Sequence, residues 1–131
     1  MTQHASLSPE RWAVFSRDQQ ILMIGNEMNR ATRLLRLADR PGLLLAYERV
    51  LRLVDLTVEV QGGYGLRREL LRWRDLVAEM YVSPELHPDH HFTAFRALLQ
   101  LTPASARQIP LLLPEVREGS EVRNRSRSAE R

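Results

Sequence analysis

A chain of 131 residues with 44% hydrophobic and 27% charged side chains has the composition of one ordinary globular domain. It contains no cysteine, which excludes a disulfide framework, thiolate metal ligands and a cysteine nucleophile. All 19 basic residues are arginine against 16 acids, so the sequence pI near 10.1 reports missing lysine, while the formal net charge is only +3.

The N-terminal stretch MTQHASLSPER lacks a basic start followed by an apolar run, so no secretory signal is expected. No apolar segment approaches the roughly 20 residues a membrane span requires. The expectation is a soluble, cytoplasmic protein.

Ser8-Pro9-Glu10 carries helix-start chemistry: an N-cap serine, proline at the first helical position and an acid in the first turn. Ser16 with Gln19 has capping-box spacing, which predicts a short leading helix or a bend before the first long one. That long helix is apolar at Ile21, Ile24, Met28, Ala31, Leu35 and Ala38, in steps of three and four, and DRPG at 39–42 ends it. Gly25 inside it points to close approach of a neighbouring helix.

The second long helix, about Pro41 to Val60, has two apolar faces. One carries Leu44, Tyr47, Leu51, Val54 and Val58; the other carries Leu45, Leu53, Leu56 and Val60 and is interrupted by Arg49. A helix apolar on most of its circumference is buried by more than one neighbour. QGGYG at 61–65 ends it, and a third helix follows with a seam of Leu66, Leu70, Trp73, Val77 and Met80. Ser83-Pro84-Glu85 and Pro88 introduce a shorter fourth helix with Phe92, Phe95, Leu98 and Leu99, and Thr102-Pro103 starts one more turn. PLLLP at 110–114 reads as an extended apolar strap. The arginine- and glutamate-rich stretch 115–131 has too little apolar content to fold and reads as a disordered tail.

These elements predict an all-α, up-down-up-down four-helix-type bundle over residues 1–114. LMIGNEMNRA (22–31) and AYERVLRL (46–53) resemble the two helices of a tetratricopeptide unit. The stretch between them is too long, and no period of about 34 residues continues, so the resemblance is confined to helix-packing chemistry. The fourth helix spans only about 20 Å against about 33 Å for the first, which leaves part of the long hairpin uncovered. A two-fold dimer through Leu45, Leu53, Leu56 and Val60 supplies the missing cover, and makes the chain a self-associating protein-interaction module without enzymatic activity or cofactor.

Two alternatives rest on particular side chains. His87, His90 and His91 in ELHPDHHF have the three- and four-residue spacing that puts two imidazoles on one helix face, which suits Zn, Ni or Fe, or acid–base work. The remaining ligands would have to be acids such as Glu79, Glu85 or Glu48. Arg30, Arg33, Arg36 and Arg40 lie opposite the apolar seam of the first long helix and form a stripe suited to nucleic acid or another polyanion.

Overall fold

A computed structural model describes residues 7–114; the expected disordered tail 115–131 lies outside the described residues. Side-chain caps punctuate the chain. Ser8 Oγ accepts from the Arg11 amide at 3.3 Å and starts α1 (Pro9–Trp12). Ser16 and Gln19 form the reciprocal capping box of α2 (Arg17–Arg36), with bonds of 3.1 and 2.8 Å. Asp39 caps α3 (Arg40–Val60) by accepting from the Gly42 amide at 3.0 Å, and a Cβ at Gly42 would collide with that carboxylate. Then come α4 (Tyr64–Val82), α5 (Pro88–Leu99), α6 (Pro103–Ala106) and α7 (Ile109–Leu112). Each serine or aspartate cap is worth about 1 kcal/mol against alanine.

The end of α2 departs from the usual grammar. The Ala38 amide bonds to Leu35 O and the Asp39 amide to Leu34 O, the bond pattern of a Schellman turn, with Ala38 at φ 54°. That left-handed position is normally given to glycine, because a Cβ crowds the following carbonyl there.

The described residues are all-helical, and α2, α3, α4 and α5 pack in a ring: α2 on α3, α3 on α4, α4 on α5 and α5 back on α2. Partner pairs run in opposite senses along adjacent helices. Glu27 meets Arg49 and Gln20 meets Gln61 across α2 and α3, while Glu48 meets Tyr81 and Asp55 meets Arg74 across α3 and α4. The ring encloses one core that includes Ile24, Met28, Val50, Leu70, Phe95 and Leu98. At Gly25 an added Cβ would lie 3.4 Å from Leu99 Cδ2. The α5 helix therefore does come close, but leaves room for a methyl group.

The second apolar face of α3 is not free to join subunits. Leu53 is fully buried, Leu56 is 8% exposed and Val60 is half-buried; only Leu45, at 54%, reaches the surface. The cover comes from within the chain. Arg49 on that face pairs with Glu27 of α2 at 3.0 Å, and α1 lies against α3, where the buried Trp12 donates its indole N–H to Thr57 Oγ1 at 2.9 Å. Gln20 Nε2 in turn donates to the Trp12 and Phe15 carbonyls at the end of α1. A four-residue helix has no stability of its own; these bonds and the buried indole hold it in place.

PLLLP is not extended. Its residues 110–112 complete α7, a single turn in which the Leu111 and Leu112 amides bond to Gln108 O, and Leu113 behind it is buried. The fixed φ of Pro110 suits the first turn of a helix as well as an extended chain.

Candidate interaction surface and the histidine cluster

The three histidines at the start of α5 separate. His87 is the N-cap residue and makes no side-chain capping bond; His90 lies one turn on, and their rings stand 4.7 Å apart, both exposed. His91 is turned a further 100° around the helix and is 1% exposed. Its Nδ1 lies 2.8 Å from Tyr47 Oη and its Nε2 lies 2.9 Å from Thr32 Oγ1.

The hydrogen positions follow from the network. The Thr32 hydroxyl donates to Met28 O at 3.1 Å, so its oxygen accepts from His91 Nε2–H, and Nδ1 accepts from the Tyr47 hydroxyl. Burial pushes the His91 pKa down to about 4, slightly opposed by the Met28 carbonyl, and pushes that of Tyr47 well above its usual value. Both groups stay neutral near pH 7. With both ring nitrogens engaged and the ring buried, His91 is a bolt between α2, α3 and α5, available neither as a ligand nor as an acid–base group.

The expectation of a metal centre at His87, His90 and His91 is thereby corrected. Consecutive helical residues cannot share a face, so His90 and His91 diverge. Among the described residues, no group of three or more His, Cys, Asp or Glu stands close enough to hold a metal ion.

The two outward histidines instead border an open groove between α4 and α5. It measures roughly 410 Å³ and is also lined by Leu76, Glu79, Met80, Ser83, Thr93 and Ala94. A second hollow of roughly 450 Å³ continues the same seam past Leu76, along Glu69, Arg72, Trp73, Ala97, Gln100 and Leu101. Trp73 is the clasp between the two helices: it is buried and donates its indole N–H to Ala94 O at 2.7 Å. On the rest of α4, Tyr64 (78%), Leu71 (45%), Leu76 (46%) and Val82 (75%) are exposed, half of the eight large hydrophobic side chains exposed among the described residues. Sequence reasoning missed this concentration because it took only the inward seam of the third helix, and Leu71, Leu76 and Val82 fall between the seam positions.

The arginine stripe is not a single surface either. Arg40 donates to Ser83 O at 2.6 Å and to Pro84 O at 2.7 Å, tying the start of α3 to the α4–α5 connection. Arg30 stands 4.0 Å from the buried Glu27. Arg33 and Arg36 are exposed and border a groove of roughly 360 Å³ with Asn29, Thr32, Phe92 and residues 111–114. Arg40 is a structural tether, which shortens the expected polyanion-binding row at its C-terminal end.

Among the described residues no helix is long and apolar enough to cross a membrane. Comparison with protein-family models, curated proteins and solved structures gives no match for this chain.

Proposed function

We propose that the chain is a self-associating helical module of the cytoplasm that works by docking onto other polypeptide surfaces, without catalysis, and that α4 with the α4–α5 seam is its docking face. The observation that carries this reading is the exposure of Tyr64, Leu71, Leu76 and Val82 on one helix beside an open, largely apolar groove. Exposed apolar surface concentrated in this way marks interaction sites, whereas scattered single residues do not. The histidine with the strongest environment, His91, serves packing, and the ionic side chains Arg40, Arg49 and Glu27 tie helices together.

Sedimentation equilibrium on the purified chain tests the reading. The expected result is a reversible dimer at tens of micromolar that becomes monomeric in Leu71→Glu and Val82→Glu with helicity unchanged, since both positions are exposed. A wild-type chain that stays monomeric throughout that range refutes self-association, and unaltered association in both variants refutes the choice of α4.

A further inference from the structure

Granting that α4 is the docking face, its charge pattern identifies the occupant. Within α4, Arg67, Arg68 and Arg72, with Glu69, fall in the N-terminal half, while Asp75 and Glu79 fall in the C-terminal half. Arg72 pairs with Glu69 within the helix at 3.6 Å, and Arg74 is engaged by Asp55 of α3 at 2.6 Å. The first turn of α4 holds no acid and its last turn no base. This order is the reverse of what a helix dipole favours, namely acids toward the N-terminus and bases toward the C-terminus. Along its axis, the charge order of α4 opposes its own dipole.

An identical helix laid against it in the opposite direction removes the mismatch. The arginine end of each copy then faces the Asp75–Glu79 end of the other, and the two dipoles oppose. The exposed apolar ends of the helix fit the same operation. Tyr64, Leu71 and Val82 fall within about 20° of one another around the helix, so they form one outward stripe along the roughly 28 Å of the helix. Its ends, Tyr64 and Val82, are its most exposed members. We propose that the occupant of this stripe is the α4 helix of a second copy, packed antiparallel about a two-fold axis near position 73, with Tyr64 of each copy beside Val82 of the other. Such an interface is self-complementary and closes at two subunits.

Because the chain has no cysteine, introduced thiols report the geometry without background. Tyr64→Cys and Val82→Cys proteins are mixed under mild oxidation, and each is also oxidised alone. The expected product is a disulfide-linked heterodimer in the mixture, with little linkage in either protein alone. As a second measurement, Asp75→Arg/Glu79→Arg weakens dimerisation by about tenfold or more, and adding Arg67→Glu/Arg68→Glu to the same chain restores it. Linkage of Tyr64→Cys to itself overturns the antiparallel arrangement, as does a wild-type dimer whose mixed variants never link. In both of those cases the reading of the chain as a self-associating module stands, whereas a monomeric wild type removes both.

Discussion

Replacing His91 by glutamine removes a titrating group from the middle of the bundle while keeping an amide able to bond with Thr32 or Tyr47. The ring's polar neighbours are those two side chains and the Met28 carbonyl, its aromatic neighbours include Phe92 and Phe95, and burial pushes its pKa down to about 4. In the unfolded chain the same imidazole takes a proton at about 6.5. Between those values the unfolded state binds more protons than the native one, so stability is full above pH 6.5 and is lost as pH falls toward 4. At about 1.4 kcal/mol per pH unit the whole window is worth about 3 kcal/mol, of which about 2 kcal/mol is spent by pH 5. Urea unfolding followed by far-UV circular dichroism, at about pH 7.5 and pH 5, measures it in both proteins. Carboxylates and the exposed His87 and His90 are common to the two and cancel in the comparison. The wild type should lose about 2 kcal/mol more than His91→Gln on acidification. Parallel pH dependences would mean that the ring is hydrated or shares a charge, and would refute the neutral bolt.

Two further substitutions test other parts of the fold by the same denaturation assay. Ala38→Gly should stabilise the chain by about 0.5–1 kcal/mol, because the left-handed φ of 54° costs alanine more than glycine loses in chain entropy; an unchanged or lower midpoint would contradict the turn. Arg49→Met should destabilise by about 3 kcal/mol by leaving the buried Glu27 short of its closest cation, and Glu27→Leu/Arg49→Met should recover most of that loss. A double variant no better than the single one would show that the pair itself, and not the stranded charge, carries the energy.

The helices were legible in the sequence because caps and apolar spacing are local. Ser8, Ser16 and Thr102 announce helix starts by their own chemistry, and the seam Ile21, Ile24, Met28 and Ala31 is wholly buried. What could not be read was which neighbour covers which face. Leu53 and Leu56 look like a subunit interface until Trp12, some 45 positions away from Thr57, is found packed into the same region. The histidines failed for a related reason: spacing says which rings share a face, but not which face turns inward. One long-range signal was present. Arg49 interrupts an apolar face of the second long helix, and Glu27 stands beside Met28 in the seam of the first, so two charges in apolar settings on neighbouring helices called for each other.

The two tryptophans of this chain report on different joints of the molecule. Trp12 is buried between α1 and α3 with its indole N–H on Thr57, and Trp73 is buried between α4 and α5 with its indole N–H on the Ala94 carbonyl. Indole emission responds to the solvation of the ring, and here each ring leaves its site only when its own pair of helices separates. Fluorescence from chains retaining one or the other tryptophan therefore distinguishes release of the N-terminal helix from opening of the α4–α5 seam.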